Sequence, residues 1–169
     1  KMWSDESIPC QFKEDRRDAL RVAMKLDIPF ETWDFTDEYR EEVVNYMISE
    51  YAAGRTPNPD IMCNRKIKFG IFLERARTRG ADFIATGHYI RIQKSKIKNQ
   101  NDNTKFKNIY SLHQANDLNK DQSYFLWTLT QDQLANCLFP LGEFIKPQVR
   151  SMAQEFGLST AEKPDSQGI

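Results

Sequence analysis

One cysteine of the chain has neighbours that favour reactivity. Cys63 follows Asp60 by three residues, in a segment with prolines at 57 and 59 and basic residues at 55, 65, 66 and 68. Nearby cations and a helix N-terminus favour the thiolate, which is the form that a nucleophile or a sulfur carrier needs. A lone cysteine is nevertheless more often a small buried hydrophobe, and Asp60 alone is more often the N-cap of the following helix. Both interpretations stay open on this pattern.

A second polar group follows a predicted buried strand. Phe83-Ile84-Ala85 is a short apolar run, and Thr86, Gly87 and His88 come directly after it. Ligands of parallel α/β sheets bind beyond the carboxyl ends of the strands, so this is where a nucleotide would lie. The alternative for His88 is a hydrogen-bonded structural imidazole.

A third string combines a cation, a carboxylate and an amide. Lys120, Asp121 and Gln122 stand at the start of a predicted helix, where backbone donors also favour a phosphate. This suits contact with a nucleic-acid backbone, but an ordinary capped helix has the same spacing. Cys137, among apolar neighbours, is interpreted as a core residue, and Cys10 stays undecided.

The elements that must position these residues follow an α/β pattern. Apolar spacing, prolines and glycines predict the following elements. Helices are expected over 15–26, around 43–51, over 65–79, over 121–129 and over 148–156. A capping box at Thr130 and Gln133 predicts the start of another short helix. The inward face of the second helix would be Val43, Val44, Met47, Ile48 and Tyr51. Strands are expected over 30–35 and 82–86, with hairpin arms 89–92 and 109–113 around a mobile tip, and a loop over 55–63. Such alternation predicts a parallel sheet with flanking helices.

Composition limits the classes of partner. The chain has 169 residues, 40% of them hydrophobic, and its 24 basic and 24 acidic residues cancel. A zero net charge gives no general attraction to nucleic acid or anionic membranes, so any RNA contact must be a local patch. No apolar run could span a bilayer, and no signal-peptide core is visible, so we expect a soluble cytoplasmic protein. Three scattered cysteines fit neither a disulfide framework nor a zinc site.

Six strings in order resemble the tRNA-specific 2-thiouridylase family. They are Gly54-Arg55-Thr56-Pro57-Asn58-Pro59-Asp60 through Cys63-Asn64, Ile67-Lys68-Phe69, Ala85-Thr86-Gly87-His88-Tyr89, Lys120-Asp121-Gln122-Ser123-Tyr124-Phe125-Leu126, Phe139-Pro140-Leu141-Gly142 and Asp165-Ser166-Gln167-Gly168-Ile169. Together they cover nearly the whole chain, and their combination is specific although no single string is.

The resemblance implies a fold and a reaction. The fold is a Rossmann-like sheet of the adenine nucleotide α-hydrolase type, as in PP-loop ATPases, expected to be incomplete at both ends of this chain. ATP, with Mg²⁺ as counter-ion, activates the 2-carbonyl of the wobble uridine of tRNA. A cysteine persulfide then delivers sulfur, and a second cysteine resolves the bond as a disulfide. The family's Ser-Gly-Gly-Val-Asp-Ser phosphate loop is absent from this sequence, so the chain alone is expected to be inactive.

The resemblance also implies roles for individual residues. Cys63 matches the nucleophilic or resolving cysteine, while the persulfide cysteine would follow Ile169. Asn58, Pro59 and Asp60 would meet the target base, with Asp60 a candidate acid or base. Gly87 would touch ATP, and His88 with Lys120, Asp121 and Gln122 would contact tRNA, whose flipped single-stranded base is accessible. The sulfur donor would be a cysteine desulfurase or a sulfur-relay carrier.

The implied organisation has two parts, and two rival functions stay open. Residues 1–110 would be the remainder of the catalytic ATPase domain, and residues 111–169 a helical part that contacts tRNA. The rivals are another ATP pyrophosphatase of the same fold and a degenerate tRNA-binding module. A requirement for a second cysteine argues against the first rival, and a phosphate loop in the full-length gene argues against the second.

Overall fold

A computed structural model of the chain describes residue 1, residues 12–99 and residues 102–164. The undecided Cys10 and the string Asp165-Ser166-Gln167-Gly168-Ile169 lie outside these residues. The chain divides into two compact units, which are described separately. The first unit is Lys1–Cys63 with Pro147–Ile169, and the second unit is Asn64–Lys146. The functional division near residue 110 stays a prediction.

The helices and strands follow one another as expected for an α/β chain. The α-helices are α1 Phe12–Lys25, α2 Thr36–Tyr39, α3 Asn45–Ala52, α4 Pro59–Met62, α5 Phe72–Thr78, α6 Gln131–Ala135 and α7 Lys146–Glu155. Two π-helical segments, Arg40–Val44 and Cys63–Ile71, join α2 to α3 and α4 to α5, and Ser123–Phe125 forms a 3₁₀ turn. The strands are β1 Ile84–Ala85, β2 Ile90–Asn99, β3 Asp102–Gln114 and β4 Cys137–Leu138.

The parallel pairing that the α/β pattern predicts lies in the second unit. β1 pairs with β4 in parallel, with Ile84 opposite Cys137 and Ala85 opposite Leu138. The expectation that the first of these strands is buried on both faces is wrong for the described residues. Ile84 is 5% exposed, but Phe83 beside it is 53% exposed. Successive side chains of a strand point to opposite faces, and the described residues cover only the face of Ile84.

The predicted hairpin is confirmed, but its strands are longer than expected. β2 and β3 are antiparallel, and their register runs from Ile90 opposite Gln114 to Lys98 opposite Phe106. Most of the Lys- and Asn-rich stretch expected to be a mobile tip is therefore paired. A ladder of backbone hydrogen bonds forms whatever the side chains are, so a lack of large apolar residues does not end a strand.

The helical stretch over 36–52 is confirmed, but its inward face is partly wrong. Val43 is 1% exposed, whereas Ile48 and Tyr51 are 58% and 59% exposed. The π-helical turn Arg40–Val44 explains the difference, because an i→i+5 turn carries more residues than an α-turn and rotates the residues after it. Tyr39, which precedes this turn, is buried instead, at 7% exposure.

Glycines end the helices where the pattern places them. Gly54, Gly80 and Gly157 all have positive φ, at 72°, 89° and 63°. After α3, the Gly54 N–H bonds to the Tyr51 carbonyl and the Arg55 N–H bonds to the Glu50 carbonyl, as in a Schellman motif. The capping box of Thr130 and Gln133 opens α6 as predicted.

Two predicted elements are wrong. Among the described residues, the stretch 30–35 is not part of a strand. It has a backbone hydrogen bond to Lys1, whose carbonyl accepts from the Phe35 N–H at 2.7 Å. The stretch 121–129 forms only the 3₁₀ turn, because the Asp121 carboxylate accepts from both the backbone N–H and the hydroxyl of Ser123. A side chain that bonds to nearby backbone competes with helix formation.

Candidate functional site

The Asn-Pro-Asp string begins a helix in the first unit. Asn58 is the N-cap of α4, and its side-chain oxygen accepts from the Ile61 N–H at 3.2 Å. Pro59 occupies the first turn, where its missing N–H costs nothing. The interpretation of Asp60 as the N-cap is therefore wrong, because Asn58 takes the capping role. The predicted loop over 55–63 is confirmed for 55–58 and wrong from Pro59 onward, where the helix begins. Asp60 lies in the first turn, where the helix dipole favours a carboxylate.

Cys63 lies one turn inside this helix. It directly follows α4, it is present as a thiol, and it is 6% exposed. The helix dipole falls off within the first turn, so the expected favouring of the thiolate by the helix N-terminus is weaker at Cys63 than at Asp60. Arg55, one of the expected surrounding cations, instead bonds to both carboxylate oxygens of Glu50 at 2.6 Å. The charge of Arg55 is thus paired with that of Glu50.

Tyr39 is the group near Cys63 that the sequence pattern did not predict. Burial raises the pKa of the Tyr39 phenol, and the charges of Cys63 and Asp60 raise it further. The Tyr39 side chain is thus close enough to interact electrostatically with both. Asp60 and Cys63 are three residues apart on continuous helix, a spacing that puts side chains on one face. The first unit brings together Tyr39, Asp60 and Cys63.

The second unit holds the polar residues that follow β1. Gly87 is exposed, and a Cβ added there would lie 3.8 Å from the nearest atom outside its own neighbours, Leu141 Cδ1. His88 packs against aromatic rings, with centroid distances of 5.6 Å to Phe69 and 6.4 Å to Phe139. Its Nδ1 lies 2.8 Å from the Thr86 hydroxyl. Burial, with a smaller effect of Lys68, lowers the pKa of His88 to about 4. A neutral imidazole can donate or accept hydrogen bonds but offers no charge to a phosphate.

The buried His88 should make stability depend on pH. Its pKa in the folded chain, about 4, is below its ordinary value of 6.5, so the unfolded chain binds more protons between these two values. The contribution of neutral His88 to the free energy of unfolding is complete above pH 6.5. It is lost as the pH falls toward 4, and the loss is at most about 3 kcal/mol. We expect His88→Phe to flatten the pH dependence of urea unfolding in this window. His113→Gln, at the exposed histidine, is the control, and an unchanged slope in His88→Phe would contradict the assignment.

Hydrogen bonds tie the Lys-Asp-Gln string to this region. The Tyr89 N–H donates to the Gln122 side-chain oxygen at 3.0 Å, and the Gln122 N–H donates to the Tyr89 carbonyl at 3.0 Å. The Asn64 side-chain amide donates to the Phe125 carbonyl at 3.4 Å. Within the second unit, the structure thus brings together parts of three strings that are far apart in the sequence.

Asp121 has an internal role. Its carboxylate accepts from the Ala115 N–H at 3.0 Å, the Ser123 N–H at 3.4 Å and the Ser123 hydroxyl at 2.7 Å. These bonds join the end of β3 to the 3₁₀ turn. Lys120 beside it is exposed. The geometry therefore fits a positioning role for Asp121 and leaves Lys120 accessible to a phosphate.

Lys120 and Asp121 are expected to behave differently when replaced. Lys120→Ala should weaken tRNA binding, with little change in melting temperature and a salt dependence reduced by about one released counterion. Asp121→Ala should lower the free energy of unfolding by about 1–3 kcal/mol, because it removes three hydrogen bonds. Filter binding at several salt concentrations and urea unfolding check this pair. Equal losses of stability in both variants would contradict the division of roles.

The described residues offer exposed backbone to a nucleotide beyond β1. The exposed backbone at Gly87, beyond the carboxyl end of β1, allows the close approach that a nucleotide requires. Over residues 12–99 and 102–164, no three His, Cys, Asp or Glu side chains are grouped as metal ligands. Mg²⁺ that arrives with ATP would be held largely by the phosphates and by water, so it needs no such group.

The sequence pattern did not reveal the capping role of Asn58 or the presence of Tyr39 beside Cys63. Asn58 as the N-cap could have been found, because proline at the following position is typical of a first helical turn. Tyr39 gave no signal, since its burial depends on the π-helical turn that follows it. Cys137, by contrast, is a core residue as predicted, 3% exposed in β4.

Comparison with known proteins identifies clear relatives. The family model described as the tRNA methyl transferase HUP domain matches residues 1–169. A protein of Flavobacterium johnsoniae named tRNA-specific 2-thiouridylase MnmA is 52% identical over the whole chain, which covers 42% of that protein. Proteins of the same name from Christiangramia forsetii and Akkermansia muciniphila are 50% and 47% identical, again over the whole chain and 42% and 45% of their own lengths. The chain thus spans less than half the length of these relatives.

No helix within the described part of the chain is long and apolar enough to cross a membrane. The longest α-helix, α1 Phe12–Lys25, has 14 residues, of which a single one, Ala23, is buried. A membrane-spanning helix needs roughly 20 predominantly apolar residues.

Proposed function

Since this chain belongs to the tRNA-specific 2-thiouridylase family and has its α/β HUP-domain fold, we propose that it takes part in exchanging the 2-oxygen of the wobble uridine of tRNA for sulfur. The observation that carries the proposal is the cluster of Tyr39, Asp60 and Cys63. It combines the carboxylate and the thiol at the start of α4 with the hydroxyl of Tyr39 at the end of α2. Thiol chemistry on a nucleic-acid base needs such a group of donors and nucleophiles in one place.

The start of α4 is proposed to hold the target base. Asn58 is exposed at the N-cap, and Pro59 fixes the backbone of the first turn. A base must leave its stack before its ring atoms can be reached, so a rigid polar edge that a flipped uridine can meet is required. Asp60, half-buried beside Cys63, is placed to accept or return a proton.

Cys63 is proposed as the cysteine that resolves the sulfur bond. The terminal sulfur of a persulfide on another cysteine of the full-length gene product attacks uridine C2, whose 2-oxygen has been adenylated by ATP with release of pyrophosphate. The bond between C2 and this oxygen breaks, and the oxygen leaves as part of AMP. The Cys63 thiolate then attacks the inner sulfur of that cysteine, a disulfide forms between the two cysteines, and the electron pair leaves with the sulfur that stays on the tRNA. The two cysteines are oxidised together, so a reductant must restore them before the next turnover.

ATP supplies the activation that lets the uridine oxygen depart. The chain's own contribution is proposed to be the exposed backbone at Gly87 beyond β1. The phosphate-binding string of the family is not in this sequence, so we propose that these residues alone do not complete a turnover. Mg²⁺ is proposed only as the counter-ion of the ATP phosphates.

The tRNA contacts and the sulfur donor complete the proposal. Lys120 offers an exposed charge to the phosphate backbone, Gln122 and Asp121 hold its turn against Tyr89 and β3, and His88 supplies hydrogen bonds. A persulfide-bearing donor, either a cysteine desulfurase or a sulfur-relay carrier, is the partner that the reaction needs.

The product nucleoside tests the proposed reaction. The full-length gene product is incubated with tRNA, ATP and a donor carrying isotopically labelled persulfide sulfur, and the digested tRNA is analysed by mass spectrometry. We expect labelled 2-thiouridine that depends on ATP. A methylated nucleoside formed from S-adenosylmethionine, without thiolation, would overturn the proposal in favour of the activity in the family model's description. Unmodified tRNA that binds the protein would instead support a tRNA-binding module.

A further inference from the structure

Tyr39 and Cys63 occupy related positions in the backbone of the first unit. Tyr39 immediately precedes the π-helical turn Arg40–Val44, and Cys63 begins the π-helical segment Cys63–Ile71. The turn Arg40–Val44 packs against α4, which carries Asp60. π-Helical turns are rare and often occur at functional sites, where they change the direction of a side chain. Tyr39, directly before this turn, is buried, and its phenol lies close enough to Cys63 to interact with it electrostatically.

The Tyr39 hydroxyl is a hydrogen-bond donor in this environment. Tyr39 is 7% exposed and Cys63 is 6% exposed, so water has little access to either. Cys63 and Asp60 are among the titratable groups that interact electrostatically with the Tyr39 phenol. Because burial and these two groups raise the pKa of the phenol, it stays protonated across the physiological range. Two groups that can carry negative charge therefore lie close to a protonated phenol.

Cys63 gains more from this proton than Asp60 does. Asp60 is half-buried in the first turn of α4, where water and the helix N-terminus already stabilise a carboxylate. Cys63 lies beyond that turn and is buried. Burial disfavours a thiolate, and the neighbouring Asp60 carboxylate disfavours it further. A buried hydrogen-bond donor near the sulfur opposes both effects.

We propose that Tyr39 is a positioning residue whose hydroxyl donates a hydrogen bond to the Cys63 thiolate and holds it on the Asp60 side of the helix. No proton is transferred, because the phenol keeps its proton and only shares it with the sulfur. The inference rests on the proposed role of Cys63, and it adds a residue that acts through Cys63.

The pH dependence of Cys63 alkylation tests this inference. In the full-length gene product, the rate of iodoacetamide modification of the Cys63 peptide is followed by mass spectrometry at each pH, for wild type, Tyr39→Phe and the control Tyr51→Phe. Tyr51 lies in α3 with its side chain 59% exposed. We expect Tyr39→Phe to raise the midpoint and to lower the rate at neutral pH about tenfold, the effect of a hydrogen bond to a charged group. The control should match wild type.

A second variant keeps the test decisive if phenylalanine disturbs packing. Replacing Tyr39 by 3-fluorotyrosine keeps the ring and makes the hydroxyl a stronger donor, so the midpoint should fall below that of wild type. A midpoint that is unchanged in both variants would overturn the inference. A midpoint that rises in both would also overturn it, because it would reflect altered packing.

Activity measurements separate this inference from the proposed function. With tRNA as substrate, Tyr39→Phe should lower kcat and leave KM nearly unchanged, since the lost bond acts on the thiolate and not on tRNA binding. If Cys63→Ala retained full thiolation while Tyr39→Phe still shifted the alkylation midpoint, the proposed role of Cys63 would fail and the hydrogen bond would stand. If Tyr39→Phe left the alkylation midpoint unshifted while Cys63→Ala lost thiolation, the hydrogen bond would fail and the proposed role of Cys63 would stand.

Discussion

Replacing Cys63 by alanine is expected to lower sulfur transfer to tRNA by at least about a thousandfold, as removal of a reacting group does in other enzymes. Cys137→Ala is the matched control, because the two thiols are similarly buried, at 6% and 3% exposure. Burial raises the pKa of Cys137 to about 12, so this residue stays a thiol at neutral pH. A thiol without its thiolate is a poor nucleophile, and Cys137→Ala should therefore keep near wild-type activity.

The comparison is made by counting labelled 2-thiouridine per tRNA under single-turnover conditions, with melting temperatures to confirm that both variants fold. Each substitution removes one sulfur atom from a buried position, so their structural costs should be similar. Undiminished product with Cys63→Ala would return Cys63 to a structural role. Loss of product in both variants, with intact folding, would show that Cys137 is needed for sulfur transfer as well as for the core.

Replacing Gly142 by alanine is expected to lower the free energy of unfolding by about 3 kcal/mol or more, at the upper end of overpacking effects. A Cβ there would overlap the Ile90 carbonyl oxygen and lie 2.8 Å from Arg91 Cγ. The first contact is with backbone at the start of β2, where Ile90 is fully buried. The Gly142 carbonyl also accepts from the Asn116 N–H at 2.9 Å, which limits how far the segment can shift.

Gly87→Ala is the control for this stability measurement. Its added Cβ would meet only Leu141 Cδ1, at an ordinary 3.8 Å. Urea unfolding of the full-length gene product should show a large fall in midpoint for Gly142→Ala and little change for Gly87→Ala. In contrast, Gly87→Ala should weaken ATP binding if the backbone at this position touches the nucleotide. Similar midpoints for both glycine variants would mean that the close approach at Gly142 is relieved without cost.

Local chemistry explains the parts of the fold that the sequence predicts well. A glycine at positive φ ends α3, α5 and α7, and the capping box of Thr130 and Gln133 begins α6. Each of these signals acts within a few residues, so it can be recognised without knowledge of the tertiary fold. The parallel pairing of β1 with β4 follows the alternation of helices and strands.

The errors occur where side chains or backbone irregularities compete with a simple period. The π-helical turn Arg40–Val44 rotates the helix, so Ile48 and Tyr51 are exposed although they fit a regular inward face. The Asp121 carboxylate takes the donors of Ser123 and leaves a 3₁₀ turn in place of a helix. Neither effect is visible in the spacing of apolar residues.

The candidate site shows the same division. The strings that resemble the family were recognisable in order along the chain, and hydrogen bonds of Asn64, Tyr89 and Gln122 bring several of them together. The environment of each residue required the structure. The pairing of Arg55 with Glu50, the neutral His88 and the buried Tyr39 depend on tertiary contacts that no single string contains.

The most direct measurement is the state of Cys63 after one turnover. The full-length gene product, charged with persulfide and mixed with tRNA and ATP, is quenched in acid and alkylated, and its peptides are mapped by mass spectrometry without reduction. We predict a disulfide between Cys63 and another cysteine, in an amount equal to the 2-thiouridine formed, and none when ATP is omitted. Accumulation of 2-thiouridine while Cys63 remains an alkylatable thiol would contradict it.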